Sequence, residues 1–216
     1  MRLNNKRIEN IPHAFDAVIL GNGDFPTYPV ALQLLKNAPY LICCDGAANT
    51  LLAQGVLPNR IIGDGDSLSA ANKEQYSDLF LLESSQETND QTKAVHHCKA
   101  LGKKSLLILG GTGKREDHTL GNISLLMTYQ AEGMDVVMLT DNGLFLPCKD
   151  NCCFTTTVGQ PISIFNFSAQ QLKGSGLEYP LYDFNQLWQG TLNVATAEKV
   201  QIEAKGCYLV YLAFSA

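Results

Sequence analysis

A doubly wound, mostly parallel α/β sheet over residues 1–143, followed by a small antiparallel β-sandwich over residues 144–216, is the fold class this sequence predicts. Three observations carry it. Short apolar runs alternate with stretches of helical period as far as about Leu144, the pattern of a parallel sheet with crossover helices. Beyond that point helical period disappears, and short Val/Ile/Thr/Phe/Tyr segments parted by turns take over, as in a sandwich or barrel. Several strand ends also run straight into loops rich in glycine and aspartate, and in open parallel sheets that edge is where ligands bind.

In chain order, residues 16–20 read as a strand and Gly21-Asn22-Gly23-Asp24-Phe25-Pro26 as the tight loop behind it. A helix is predicted over 29–37, with Pro29 tolerated in its first turn. A second strand spans 40–44 and ends at Asp45-Gly46-Ala47. Residues 48–54 form a helix stopped by Gly55, a C-cap glycine. The third strand, 60–62, ends at Gly63-Asp64-Gly65-Asp66-Ser67, and a fourth covers 79–82. Thr88 and Gln91 have capping-box spacing, and the helix behind them places Ala94, Cys98 and Leu101 on one face. A fifth strand over 105–109 closes with Gly110-Gly111-Thr112-Gly113-Lys114-Arg115-Glu116-Asp117. Over 118–132, Leu120, Ile123, Leu126, Met127 and Ala131 keep helical spacing, and 135–139 is the sixth strand. The second half is predicted to hold strands at 154–158, 162–167, 191–195, 200–204 and 208–214. Turns are expected at Val158-Gly159-Gln160-Pro161, Gly174-Ser175-Gly176 and Lys205-Gly206.

Composition removes several function classes. With 45% hydrophobic and 17% charged residues among 216, the chain can build a packed core. A net charge of -5 without any Lys/Arg run argues against a nucleic-acid partner. No stretch is long and apolar enough to span a bilayer. The basic start, Met1-Arg2-Leu3-Asn4-Asn5-Lys6-Arg7, leads into no apolar signal core, so secretion is not expected. The seven cysteines, Cys43, Cys44, Cys98, Cys148, Cys152, Cys153 and Cys207, read mostly as small buried hydrophobes of a reducing, cytoplasmic setting. Cys148, Cys152 and Cys153 lack the Cys-x-x-Cys spacing of zinc sites.

Chemistry concentrates at the predicted strand ends. Asp45, Asp64, Asp66 and the 110–117 loop with Asp117 each follow a strand, and Asp90 opens a helix whose N-terminus lies at the same edge. Carboxylates gathered there raise one another's pKa unless a cation is present. Asp64 and Asp66, at i and i+2 beyond a strand, can converge on one hard cation such as Mg²⁺. Together with glycine turns, Lys114 and Arg115, the rim suggests metal-bound polyphosphate. Each part also has a plain structural reading. The Asp-x-Asp pair can close an Asx turn, and Asp90 can favour the helix dipole. The 110–113 glycines can form a simple turn without the Walker Gly-Lys-Ser/Thr ending. His118 can cap or pack, and His96-His97 can be a helix surface pair.

Taken as an ordered set, these stretches resemble the thiamine pyrophosphokinase family. Cys44-Asp45-Gly46-Ala47-Ala48-Asn49, Gly63-Asp64-Gly65-Asp66-Ser67, Asn89-Asp90-Gln91-Thr92-Lys93 and Gly110-Gly111-Thr112-Gly113-Lys114-Arg115-Glu116-Asp117-His118 are similar to its Asp-Gly-Gly-Ala-Asn, Gly-Asp-x-Asp-Ser, Thr-Asp-x-x-x and Gly-Gly-x-x-Gly-Arg-x-Asp-His elements. Gly176-Leu177-Glu178-Tyr179-Pro180-Leu181 is similar to its Gly-Leu-x-Tyr-Pro-Leu. The resemblance implies transfer of diphosphate from ATP to the hydroxyl of thiamine, giving thiamine diphosphate and AMP. It implies an ATP- and metal-binding first domain, a thiamine-binding and dimerising second domain, and a homodimer with shared active sites.

By the same resemblance Asp64, Asp66 and Asp90 hold Mg²⁺, with Asp117 nearby, and Arg115 steadies the phosphates. Gly21, Gly23, Asp45, Gly46 and Ser67 are candidate contacts to ATP. So are Gly110, Gly111, Gly113, Lys114 and His118, with Thr196 as the second domain's contribution. The chain departs from the family pattern at Ala47, at Thr50 where Arg is usual, at Asn89 where Thr is usual, and at Thr196-Ala197 where Ser-Asn contacts thiamine. Alternatives at this stage are another Mg²⁺-dependent nucleotide or pterin diphosphokinase, a phosphohydrolase, or a non-catalytic nucleotide- or thiamine-binding module.

Overall fold

Apolar runs buried on both faces set the centre of the first half. The computed structural model describes residues 14–85 and 87–214; the basic stretch over residues 1–7 lies outside the described residues. The chain divides into two compact units, Ala14–Asp141 and residues 142–214.

In the first unit, β1 (Ala17–Leu20), β2 (Leu41–Cys44), β3 (Arg60–Gly63), β4 (Phe80–Leu82), β5 (Ser105–Leu109) and β6 (Asp135–Leu139) form a parallel sheet ordered β6-β5-β1-β2-β3-β4. Ile19 of β1 stands opposite Ile42 of β2 on one side and Ile108 of β5 on the other. Every residue of β1 and β2 is buried, as expected for parallel strands covered on both faces. From β1 the sheet grows outward through β2, β3 and β4, and from β5 it grows the other way to β6. The switch point therefore lies between the carboxyl ends of β1 and β5, where such sheets open a crevice.

The crossover helices are α1 (Pro29–Lys36), α2 (Ala47–Ala53), α3 (Ala70–Gln75), α4 (Asp90–Ala100) and α5 (Glu116–Ala131). Ala94 and Cys98 of α4 are fully buried, whereas Leu101 is 52% exposed because the helix has already ended at Ala100. The cap of α4 is Asn89, whose side chain accepts the Thr92 amide at 3.0 Å, and not Thr88. The first turn of α4, with Gln91, Thr92 and Lys93, is buried although polar. On α5 the buried residues are Leu126 and Tyr129, while Leu120 of the expected apolar row is 64% exposed. His96 is exposed and faces Glu132, but His97 is half-buried and meets the Tyr40 hydroxyl at 3.0 Å.

The second unit pairs two antiparallel sheets. One holds β11 (Asn193–Val194), β9 (Pro161–Asn166), β13 (Cys207–Ala213) and β7 (Gly143–Lys149), and the other β10 (Gln170–Ser175), β12 (Lys199–Lys205) and β8 (Cys152–Thr155). Their inward residues, including Phe154, Ile164, Leu172, Ile202 and Val210, form one core. β12 shows the alternation that made it legible, with Val200, Ile202 and Ala204 in and their neighbours out. β7 and β10 are additional to the sequence expectation. Pro147 interrupts the apolar run of β7, and β10 buries Leu172 alone beside a register shift, with Gln171 at φ 58°. The expected 174–176 turn begins only at Gly176, because Gly174 and Ser175 still pair with Ile202 and Gln201.

One long-range contact fixes the loop between β1 and α1. Asp141, just beyond β6, accepts the Thr27 amide at 2.9 and 3.0 Å, the Tyr28 amide at 2.9 Å and the Thr27 hydroxyl. Tyr28, the N-cap of α1, has no side-chain cap of its own, so Asp141 supplies that function from a distance. Burial pushes the Asp141 carboxyl up, but the Thr27 hydroxyl and the Tyr28 and Thr27 amides outweigh it and hold it below the usual range. A depressed carboxyl contributes stability above its unfolded pKa and loses it as pH falls through the folded value. Asp141→Ala is expected to cost about 1 kcal/mol at neutral pH, or roughly 2–4 °C in Tm. The difference from wild type should shrink in melting curves taken below about pH 4.

Candidate active site

The crevice at the switch point is a cavity of about 390 Å³ within the first unit. Its two walls on the phosphate-like side are backbone laid against backbone. The amides of Gly21, Gly23 and Asp24 donate to the carbonyls of Leu109, Gly110 and Thr112 at 2.7–2.8 Å. A Cβ at Gly21 would stand 2.7 Å from the Gly110 carbonyl oxygen, so the loops can lie this close only because a side chain is missing there. Gly21, Gly23, Gly111 and Gly113 line the cavity, while Gly110 lies in the ladder behind it. Lys114 adopts φ 59°, a left-handed conformation uncommon for a side-chain-bearing residue. Its ammonium donates to Asn22 Oδ1 at 2.9 Å.

The opposite wall is acidic. One carboxylate oxygen from each of Asp45, Asp64 and Asp66 lies within 4.8 Å of the others. Asp64 Oδ1 accepts the Asp66 amide at 3.2 Å and Asp66 Oδ1 accepts the Ser67 hydroxyl at 3.0 Å, so the Asx turn and the convergence of carboxylates coexist. Asn49 pins this loop: its Nδ2 donates to the Ser67 carbonyl at 2.8 Å and its Oδ1 accepts the Ser69 amide at 3.0 Å. Asp45 is only 2% exposed, and its Oδ1 is buried without a partner while Oδ2 accepts the Ser67 amide at 3.1 Å. Burial pushes the Asp45 carboxyl above its ordinary range; the Ser67 amide opposes this, and the charges of Asp90, Asp66 and Asp64 add to it.

Those features fit a hard divalent cation. An oxygen-only donor set, gathered at mutual repulsion and including an unpartnered buried oxygen, is what such an ion accepts. The trio differs in one member from the expected set of Asp64, Asp66 and Asp90. Asp90 lines the same cavity but is ion-paired with Lys93 at 3.0 Å, the Lys93 side chain being 5% exposed. Gly63 separates Asp90 from Asp45: a Cβ there would stand 2.6 Å from Asp45 Cβ and 3.1 Å from Asp90 Oδ2.

Arg115 and His118 line the cavity mouth. Arg115 makes a two-pronged contact with Asp117, Nε to Oδ1 at 3.1 Å and an Nη to Oδ2 at 2.6 Å. Those hydrogen bonds hold the Asp117 carboxyl below its ordinary range, against a small burial effect and with help from the His118 amide. Asp117 thus orients Arg115. Gly46 lies at the start of α2, and Thr196 lies in the second unit, exposed, with its amide donating to Gly176.

Four cavity residues were not singled out from the sequence: Asn22, Gln91, Lys93 and Asn122. Gln91 and Lys93 stood inside a quoted motif but carried no assigned role. Asn122 ties three elements together, donating to the Gly111 carbonyl at 2.8 Å and accepting Asn89 Nδ2 at 2.8 Å and Gln91 Nε2 at 3.2 Å. Its position one helical turn after His118 is the only sequence signal it offers.

The geometry at Gly63 yields a direct test. Gly63→Ala should destabilise the fold by about 1–3 kcal/mol, because the methyl meets the unyielding Cβ of Asp45. Gly55→Ala is the control, since Gly55 has φ 73° but open space around it, and it should cost about 1 kcal/mol. Equal losses in urea unfolding would show that Asp45 is not packed against Gly63.

Comparison with known proteins agrees with this layout. Residues 31–138 match the family model described as thiamin pyrophosphokinase, catalytic domain, and residues 143–211 match thiamin pyrophosphokinase, substrate-binding domain. Thiamine pyrophosphokinase 1 of Oryza sativa subsp. japonica is 30% identical over 152 residues, covering 58% of this chain and 56% of the relative. Thiamin pyrophosphokinase 1 of Caenorhabditis elegans is 29% identical over 125 residues, covering 54% and 51%. The chain thus spans little more than half the length of the curated relatives it matches. The crystal structure of the thiamine pyrophosphokinase from Bacillus subtilis superposes with a TM-score of 0.76 at 20% identity, covering 92% of this chain and 100% of that one. The yeast thiamin pyrophosphokinase gives 0.77 at 21%, covering 99% and 90%. These structures share the two-part fold described above, and with the two matched domains between them accounting for most of its length, the chain belongs to the thiamin pyrophosphokinase family.

Proposed function

We propose that this protein transfers diphosphate from ATP to the primary hydroxyl of thiamine, producing thiamine diphosphate and AMP. The observation that carries the reading is the convergence of Asp45, Asp64 and Asp66 on one side of a crevice whose other side is glycine backbone with Lys114 and Arg115. Asp45, Asp64 and Asp66 would hold Mg²⁺, with Asp90 beside them. The chemistry a bound Mg²⁺ supplies there is neutralisation of the diphosphate oxygens.

The chain's own residues do the rest by positioning, as phosphoryl transfer requires. The Gly21–Gly23 and Gly110–Gly113 backbones leave room for phosphate oxygens to approach. Lys114 and Arg115 counter their charge, Arg115 through a fork that Asp117 keeps in one plane. The thiamine hydroxyl oxygen forms a bond to the β-phosphorus as the bond from that phosphorus to the α–β bridging oxygen breaks. The bridging oxygen leaves on AMP and the hydroxyl proton is released.

The second unit is proposed to grip thiamine, and two copies to share their sites. Support comes from the exposed rings of Tyr179, Tyr182 and Trp188 beside Leu187 and Leu192, a surface suited to a flat heterocycle or an apolar interface. A cytoplasmic location is proposed because all seven cysteines are free thiols. No helix among the described residues is long and apolar enough to cross a membrane.

Thiamine-dependent release of AMP is the decisive assay; ADP, or release that ignores thiamine, would point instead to a different kinase or a phosphohydrolase. Asp66→Asn should lower single-turnover rates by roughly two orders of magnitude or more with an unchanged circular dichroism spectrum. Wild-type turnover at saturating Mg²⁺ would remove Asp66 from the metal set. Arg115→Lys should lower kcat/KM roughly tenfold, since charge is kept but the planar fork is lost. A mixed dimer, one subunit carrying Asp66→Asn and the other a disabling change near Thr196, should regain up to about half the wild-type activity. No recovery in a purified heterodimer would mean each subunit builds its own site.

A further inference from the structure

We propose that Gln91 Oε1 is the acceptor for the exocyclic amino group of a bound N-heterocycle, making Gln91 a specificity-determining residue. The inference rests on the functional reading above, because both substrates proposed there carry such a group. Adenine has it on its six-membered ring, and thiamine has it on its pyrimidine.

Gln91 is 4% exposed and lies in the first turn of α4, where it lines the switch-point cavity. Its amide orientation is fixed by chemistry. Nε2 lies 3.2 Å from the main-chain carbonyl of Asn122, which can only accept, and 3.4 Å from the Tyr129 hydroxyl. Turning the amide over would set two acceptors against each other. Oε1 is therefore held on the other side, where it is buried and has no partner in the fold. Its neighbour there is Gly111, a second cavity-lining residue, and a Cβ at that position would stand 3.2 Å from Oε1. The missing side chain at Gly111 leaves the oxygen open to whatever enters the crevice.

A buried acceptor without a partner is costly, and an apolar side chain of similar size would fill the same space without that cost. Asn122 adds rigidity, since it also holds Gly111 and Asn89. An oxygen so fixed discriminates sharply, because a ligand lacking the matching N–H leaves it unpaired.

Calorimetric titration of the full chain with Mg²⁺ present tests this with four probes. They are ATP, the purine-riboside triphosphate without the 6-amino group, thiamine, and the thiamine analogue with hydrogen in place of its pyrimidine amino group. Wild type should bind the amino form roughly tenfold or more tightly in one of the two pairs. Gln91→Met should bring that ratio to about one and leave the other pair's ratio unchanged. Loss in the nucleotide pair assigns the oxygen to adenine, and loss in the thiamine pair assigns it to the aminopyrimidine. If wild type shows no preference in either pair, Oε1 is met by water alone and the inference is wrong, whether or not the variant folds. A preference that survives in Gln91→Met, or in Gln91→Leu should the first variant misfold, overturns it as well. Wild type that binds neither ATP nor thiamine would refute the functional reading and this inference with it.

Discussion

Repulsion among Asp45, Asp64 and Asp66, packed within 4.8 Å of one another with Asp90 across Gly63, is the constraint on which the rest of this molecule turns. Such a cluster opposes folding by itself, and it persists because three separate elements force it together. β2 ends at Asp45, β3 ends at Gly63 just before Asp64 and Asp66, and α4 begins at Asp90. Asn49 and Ser67 lock the loop between them. A native fold that holds carboxylates against their own repulsion keeps them for an ion, which links the architecture of the sheet to the proposed chemistry.

The complementary constraint is steric. The β1–α1 and β5–α5 loops lie against each other through main-chain hydrogen bonds from Gly21, Gly23 and Asp24, leaving polar backbone rather than side chains at the switch point. Asp141 anchors the first of these loops from beyond β6. Asn122 anchors the second from α5. Charge on one wall and bare backbone on the other give the crevice its polarity, and Lys114 and Arg115 stand at the boundary between them.

Much of this was legible in the sequence, for identifiable reasons. Parallel strands such as β1, β5 and β6 are continuous apolar runs, and the residue types that follow them, Asp45, Asp64-x-Asp66 and the 110–117 loop, mark the ligand edge whatever the tertiary details. Legibility failed where a residue's role depends on a partner far along the chain. Asp141 meets Thr27 across 114 positions, and neither residue's neighbours announce the contact. Asn122 and Gln91 are amides whose importance comes from what surrounds them. Asp45 rather than Asp90 completes the close trio because Lys93 claims Asp90, a preference no spacing encodes. β7 and β10 were hidden by Pro147 and by a polar, bulged strand. The capping residue of α4 shifted from Thr88 to Asn89 because two residues in succession could fill the role.

The most direct measurement of the central claim is the melting temperature of the full chain as Mg²⁺ is titrated, against a monovalent salt at matched ionic strength. If the carboxylate trio is a cation site, Mg²⁺ at about a hundredfold over its Kd should add roughly 2.7 kcal/mol of stability. That gain should vanish in Asp45→Asn/Asp64→Asn. Equal stabilisation by the monovalent salt, or an Mg²⁺ response that survives the double substitution, would contradict it.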